Sequence, residues 1–214
     1  MNQQVSPPQS TDAVSGRTMM LPDAPLCVLS AGKIQWLTRE GEIRTMDADS
    51  FAQAVRHEMP ILCHAPYIAS KMGLEPFLAY DVLELFAFTH PGTFALPTPA
   101  GLAKALGFFI PDGAEGDPVI LLNIVRHLLQ DLIAMDLAHQ PSDPIAAACV
   151  MAMGQRGLTS RQGWPWAAPV LAALGTPNGY ARESMARAGI QIWHKMSEWN
   201  DSAGEPPPAH KGVS

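Results

Sequence analysis

Three short segments near the start of the chain alternate in polarity or are apolar, and turn signals separate them. They read LCVLS over Leu26–Ser30, KIQWLT over Lys33–Thr38 and EIRTM over Glu42–Met46. Ala31-Gly32 stands between the first two segments, and Glu40-Gly41 stands between the second and the third. Segments this close in sequence usually pair with their neighbours, so we expect an antiparallel meander of three strands.

Helical and strand-like segments alternate after the meander. The run PILCH is nearly all apolar, which is typical of a strand covered on both faces. An N-cap for the first helix is available within residues 47–50. The predicted elements are a helix over Phe51–His57, a strand over Pro60–His64, a helix over Pro66–Met72 that Gly73 stops, a strand over Ala79–Asp81 that continues as a helix to Thr89, and helices over Ala100–Leu106, Pro118–Met135, Asp143–Met153 and Trp166–Leu174.

This order of elements predicts an α/β fold. Three antiparallel strands followed by parallel strands are the ribonuclease H-like plan, which the 3′–5′ exonucleases share, here with a C-terminal helical extension. We expect a disordered leader over residues 1–21, because Ser, Gln, Pro and Thr bury too little surface to offset chain entropy. The exonuclease-like domain is expected over 22–138, the helical extension over 139–200 and a proline-rich linker over 201–214.

Composition excludes several classes of protein. The 214 residues carry a net charge of −6, so the basic stripe of a stand-alone nucleic-acid binder is missing. The three cysteines are far apart and form no CxxC pair, which argues against a cysteine zinc site and a disulfide framework. No apolar stretch reaches the roughly 20 residues that span a bilayer. We therefore expect a cytoplasmic protein without a membrane partner.

The stretch from Pro60 to Gly107 contains more specific sequence motifs. Its HAP, YDVLELFAF and PTPAGLAKALG runs resemble the N-terminal region of large DinG-type ATP-dependent DNA helicases of bacteria. The later WPWAAPVLAALGTPNG and the Trp-containing tail are similar to that region too, so the resemblance extends from Pro22 to the end of the chain. The frame of the same stretch resembles the second motif of proofreading exonucleases. The resemblance implies a parent protein that unwinds DNA with ATP and Mg²⁺ in DNA repair. The implied partners are motor domains in the same polypeptide and single-stranded DNA.

The chain departs from a working exonuclease at each acidic motif. Those enzymes hold two divalent metals with four carboxylates. Leu29 and Ala31 stand where the first strand should carry its acids, and Ala69 stands where the second motif has its aspartate. His127 and Asp131 are four residues apart, where the third motif needs five. The helicase motif G-x-x-x-x-G-K-[ST] is also missing from the chain. We therefore predict no catalytic residue and no cofactor-binding residue in this chain.

Two acids remain as candidate metal ligands. Asp81 and Glu84 are three residues apart, so on a helix they would share one face and could bind one metal. The competing interpretation is that Asp81 belongs to the frame of the fold and caps the following helix through backbone N–H groups. An exonuclease with atypical acids would have to recruit them from a set comprising Asp81, Glu84, Asp117 and Asp131.

The remaining reactive and aromatic residues favour structural roles. Cys63 and His64 are adjacent on the predicted strand and would point to opposite faces, so they cannot form a thiol–imidazole pair beside Tyr67. The histidines without metal-like spacing are His57, His90, His127, His139 and His194. The tryptophans that could stack on bases, but for which we favour core or interface packing, are Trp164, Trp166, Trp193 and Trp199.

Three hypotheses about function follow. The leading one is a non-catalytic N-terminal accessory domain of a DinG-type helicase, which docks on the motor or positions nucleic acid. The second is a metal-dependent 3′–5′ exonuclease with atypical acids. The third is a free-standing interaction module unrelated to any motor.

Overall fold

A computed structural model of the protein describes residues 17–111, 114, 116–134, 144–154, 162–175 and 187. The strands are β1 (Leu26–Ser30), β2 (Lys33–Leu37), β3 (Ile43–Met46), β4 (Ile61–Leu62) and β5 (Tyr80–Asp81). The helices are α1 (Ala48–His57), α2 (Ala65–Met72), α3 (Val82–Thr89), α4 (Pro99–Ala105), α5 (Val119–Ala134), α6 (Pro144–Gly154) and α7 (Ala167–Leu174). None of these described helices combines the length and the apolar character needed to cross a bilayer.

The strands form one mixed sheet in the order β3-β2-β1-β4-β5. β1 pairs antiparallel with β2, and β2 pairs antiparallel with β3, which confirms the predicted meander. β4 lies parallel to β1 on its other side, and β5 lies parallel to β4. The turn between β1 and β2 has Ala31 at φ 49° and Gly32 at φ 75°, the two positive values that a tight hairpin turn of matching twist requires. The predicted α/β class with a mixed sheet is therefore confirmed.

Helices cover both faces of the sheet, and alternation along β1 assigns its side chains to the two faces. Leu26 and Val28 belong to a large apolar cluster with residues of α3, α5 and α7. Cys27 belongs to a smaller cluster on the opposite face, together with Trp36 of β2 and Phe51 of α1. The sheet is therefore the middle layer between two cores.

β4 is shorter than the predicted strand over Pro60–His64, because it comprises only Ile61–Leu62. The chain leaves the sheet at His64, whose φ of 66° turns the backbone into α2. Ile61 belongs to the large cluster and Leu62 to the small one, so the prediction of a strand covered on both faces is confirmed.

The C-terminal helices contribute to the same core as the sheet. Trp166, which precedes α7, has no exposed surface, and it shares the large apolar cluster with Val170 of α7 and Val150 of α6. The boundary predicted between residues 138 and 139 lies outside the described residues, as do residues 1–16 of the predicted leader and the whole predicted linker over 201–214. Those assignments stay predictions.

Candidate functional site at the carboxyl end of the parallel strands

An open cleft of about 860 Å³ lies where β4 and β5 end. Its walls come from α2, from the loop between α2 and β5, from the start of α3 and from the residues that precede α7. Crevices outside the carboxyl ends of parallel strands are the usual place for ligands in α/β folds, because the following loops and helix N-termini meet there. This cleft is therefore the candidate functional site.

Asp81 lies at the base of the cleft and is only 5% exposed. Its Oδ1 accepts hydrogen bonds from the backbone nitrogens of His64 at 2.8 Å and Leu83 at 3.0 Å. Its Oδ2 accepts one from the backbone nitrogen of Ala65 at 2.7 Å. The bond from Leu83 confirms the predicted N-cap of α3. The two bonds from the β4–α2 junction have a second role, because they join the end of β5 to the segment that follows the neighbouring strand β4.

The turn at His64 presents these two N–H groups to one carboxylate. His64 has a left-handed backbone, whereas Ala65 begins α2, and successive N–H groups in such a pair make a concave anion-binding nest. The His64 ring stacks on Tyr67, with ring centroids 5.7 Å apart and planes 18° apart. The imidazole therefore packs on α2, while its backbone holds Asp81.

Cys63 is buried beside this turn, as the sequence predicts. Burial, and then the charge of Asp81, raises the pKa of the Cys63 thiol to about 12. Because the thiolate is the reactive form, a thiol that stays protonated at neutral pH is not a nucleophile. The structure thus gives Cys63 a packing role.

Glu84 lies at the rim of the cleft, in the first turn of α3. Its Oε2 accepts a hydrogen bond from the Trp164 indole Nε1 at 3.0 Å, which connects α3 to the segment before α7. Much of the Glu84 side chain is exposed, but its carboxyl group lies against the indole. Partial burial, and then the charge of Asp81, raises the pKa of Glu84, although the bond from Trp164 opposes this shift.

Asp81 and Glu84 both line the cleft, but three of their four carboxylate oxygens already accept hydrogen bonds within the fold. Asp81 holds three backbone N–H groups, and Glu84 holds an indole. Within the part of the chain that the structure describes, no group of three His, Cys, Asp or Glu side chains is arranged to hold a metal ion. The two acids therefore act in this structure as hydrogen-bond acceptors that fasten the walls of the cleft.

The other acids of the exonuclease alternative lie elsewhere. Asp117 caps α5, where its Oδ1 accepts a hydrogen bond from the backbone nitrogen of Val119 at 2.9 Å. Asp131 is fourteen residues further along, which corresponds to about 21 Å of helix at about 1.5 Å per residue. A two-metal site needs its ions about 3.5–4 Å apart, so Asp117 and Asp131 cannot share one.

Two of the predicted histidines meet Asp131. The Oδ2 of Asp131 is 3.4 Å from His90 Nε2 and 3.5 Å from His127 Nε2. His57 is exposed in the last turn of α1. Two histidines, His139 and His194, and two tryptophans, Trp193 and Trp199, lie outside the described residues.

The remaining two tryptophans have different surroundings. Trp166 is fully buried, which confirms the predicted core packing, and its Nε1 donates to the Asp81 carbonyl oxygen at 2.7 Å. Trp164 is half-buried, lines the cleft and packs on Phe88, with ring centroids 5.3 Å apart. For Trp164 the sequence favoured packing over base stacking and did not indicate the bond to Glu84, because that bond joins residues 80 positions apart.

Substitution of Glu84 by glutamine is expected to raise stability at neutral pH. A carboxyl whose pKa is raised by folding stabilises the fold when protonated, fully so below its unfolded pKa of about 4.5, and this contribution is lost as pH rises through the folded pKa. Glutamine retains an oxygen for the Trp164 indole and carries no charge. Urea unfolding at pH 7 and pH 4 should therefore show Glu84→Gln above the wild type at pH 7, with the gap closing at pH 4. A gap that widens at pH 4 would contradict the raised pKa.

Comparison with known proteins identifies no relative. No protein-family model matches the chain, and neither a curated protein nor a solved structure does so.

Proposed function

We propose that the chain is a non-catalytic, exonuclease-like accessory domain in the N-terminal part of a DinG-type ATP-dependent DNA helicase of DNA repair. The order β3-β2-β1-β4-β5, with three antiparallel strands and then two parallel ones, supports the ribonuclease H-like plan. The HAP, YDVLELFAF and PTPAGLAKALG motifs within residues 60–107 support the helicase parent. The ATP and Mg²⁺ of such a parent would bind its motor, since this chain has no G-x-x-x-x-G-K-[ST] motif.

One observation carries the non-catalytic assignment, namely the lack of any acidic side chain along β1. Leu29 packs against the smaller apolar cluster, and Ala31 lies in the turn after the strand, at φ 49°. The exonuclease plan needs metal-binding carboxylates on this strand, and aliphatic side chains cannot ligate a hard cation. Ala69, at the second motif, is buried and has no ligand atom either. The residues present do not fit a two-metal centre.

The charge of the cleft favours docking over the positioning of nucleic acid. Asp81 and Glu84 line it, and none of its lining residues among those that the structure describes is Lys, Arg or His. The whole chain has a net charge of −6. Phosphate groups would be repelled by such a surface, whereas a protein partner with basic groups would be attracted. We therefore propose docking on the motor as the main role.

A nuclease assay tests the non-catalytic assignment. The purified chain is expected to leave 5′-labelled single-stranded DNA at full length with Mg²⁺ or Mn²⁺, because the described residues contain no group of three ligand side chains that could hold a metal ion. The product lengths are compared on a sequencing gel with those from a Glu84→Gln, Asp117→Asn, Asp131→Asn variant, which leaves Asp81 as the one acid of that set and is prepared in the same way. Shortening by the wild type that the variant abolishes would establish the exonuclease with atypical acids instead. Shortening by both proteins at equal rates would identify a contaminant and leave the assignment intact.

The genomic reading frame tests the helicase parent. We expect codons after Ser214 to continue into a motor that carries the nucleotide-binding motif missing here. A stop codon at that point, with no motor in the frame, would contradict the helicase parent and favour the free-standing interaction module.

A further inference from the structure

The walls of the cleft at the carboxyl end of β4 and β5 are apolar. Pro66 and Ala69 of α2 form part of one side, and Phe77 of the following loop continues it. Trp164 and Pro165 form part of the other side. Side chains of this kind bind hydrocarbon, because contact removes apolar surface from water. This lining suits a segment with apolar side chains.

The carboxylates of this apolar cleft have no positive partner. Neither Asp81 nor Glu84 forms an ion pair with any Lys, Arg or His of the described residues. Three backbone N–H groups offset the charge of Asp81, whereas Glu84 receives a single indole N–H on Oε2. The Glu84 Oε1 atom accepts no hydrogen bond from the described part of the chain. Glu84 therefore has an acceptor to offer a ligand.

We propose that this cleft binds an arginine side chain that a partner protein presents on an extended apolar segment. The apolar stem of arginine can pack along the wall formed by Pro66 and Ala69. The guanidinium group can then donate to Glu84 and lie over the Trp164 ring, which combines a charge-assisted hydrogen bond with a cation–π contact. This inference rests on the proposed docking role, and it names the partner's chemistry.

Arginine fits these groups better than lysine or phosphate does. Its planar guanidinium stacks on aromatic faces and is less strongly hydrated than an ammonium group, so it is easier to bring against a half-buried indole. Phosphate would meet two carboxylates. The raised pKa of Glu84 agrees with this choice, because a cation at the rim would relieve the unfavourable ionisation of that carboxyl group. The net charge of −6 would also speed encounter with a basic segment.

The test uses a peptide and its neutral counterpart. The full chain, labelled with ¹⁵N, is titrated with acetyl-Leu-Arg-Leu-amide and with the same peptide carrying citrulline, which keeps the shape of arginine without its charge. We expect saturable shifts of the Trp164 indole N–H and the Ala65 amide with the arginine peptide. We expect about tenfold weaker binding of the citrulline peptide, which is about 1.4 kcal/mol.

Two variants locate the binding. Glu84→Gln keeps an acceptor for the indole but lacks the charge, so it should weaken the arginine peptide by a similar factor. Asp49→Asn removes an exposed carboxylate of α1, outside the cleft, and should leave the affinity unchanged. Equal affinity of both peptides, no weakening by Glu84→Gln, or no shift at Trp164 would each overturn the proposal. Saturable shifts of the same resonances by oligo(dT) would also overturn it in favour of nucleic acid.

The outcomes separate this inference from the proposed function. Metal-dependent nuclease activity would overturn the non-catalytic assignment without changing the peptide result. A chain that has no nuclease activity and does not bind the arginine peptide would overturn only the proposed arginine site.

Discussion

Asp81→Ala is expected to lower the free energy of unfolding by about 3–5 kcal/mol, because it leaves the backbone nitrogens of His64, Ala65 and Leu83 without their acceptor. Each buried unsatisfied donor costs about 1–3 kcal/mol, and bonds to a charged group are the stronger ones. The cavity left by the carboxyl group opens onto the cleft, where water can enter and limit the loss. Guanidinium unfolding at pH 7, followed by tryptophan fluorescence, measures the change.

Asp117→Ala is the matched control, because it removes the same side chain from another helix N-terminus. Asp117 is exposed, and the bond described for it is the cap of α5 through the nitrogen of Val119. Loss of an exposed cap costs about 0.5–2 kcal/mol. If Asp81→Ala costs no more than Asp117→Ala, then the two bonds to the β4–α2 junction add nothing, and Asp81 acts as a helix cap alone.

The meander and most helix bounds were predictable because their signals are local. Alternation in KIQWLT, followed by a turn signal, determines which side chains of β2 face the core, and Ile34 and Trp36, two positions apart, share the smaller cluster. Gly73 ends α2 with a φ of 67°, a conformation that favours glycine. Such features depend on neighbours within a few residues, so the sequence displays them directly.

The candidate site was predictable only in part, because its bonds join distant residues. The cap at Asp81 is local and was foreseen, but the bonds from His64 and Ala65 span 17 and 16 positions. They depend on β4 and β5 being neighbours and on the left-handed turn at His64. Neither condition has a spacing rule in the sequence. The short length of β4 was missed for the same reason, since this turn is set by the tertiary tie to Asp81.

Hydrogen bonds between residues from the two ends of the fold have still weaker signals in the sequence. Trp164 and Trp166 reach Glu84 and Asp81 over 80 and 85 positions. Nothing in either segment identifies the partner. The packing of both α3 and α7 on α5 brings the two segments together.

Trp166→Ala is expected to lower the free energy of unfolding by about 3–5 kcal/mol, the range for removal of a large buried aromatic side chain. The indole is fully buried, packs edge-on against Tyr80 with ring centroids 5.1 Å apart, and donates to the Asp81 carbonyl. Trp166→Phe keeps most of the apolar contact but leaves that carbonyl without its donor, so we expect a loss of about 1–3 kcal/mol. Trp164→Phe is the control at the half-buried rim and should cost less than Trp166→Ala.

The form of the Trp166→Ala transition also tests whether α7 belongs to the core of the sheet. If it does, the weakened protein unfolds as one unit. Circular dichroism at 222 nm and the fluorescence of the remaining tryptophans, Trp36 among them, then change at the same guanidinium concentration. This coincidence is expected because Trp166 contacts β5 directly through Tyr80 and Asp81. Two separated transitions, with the sheet surviving the first, would instead place the helices after residue 138 in a unit that folds by itself.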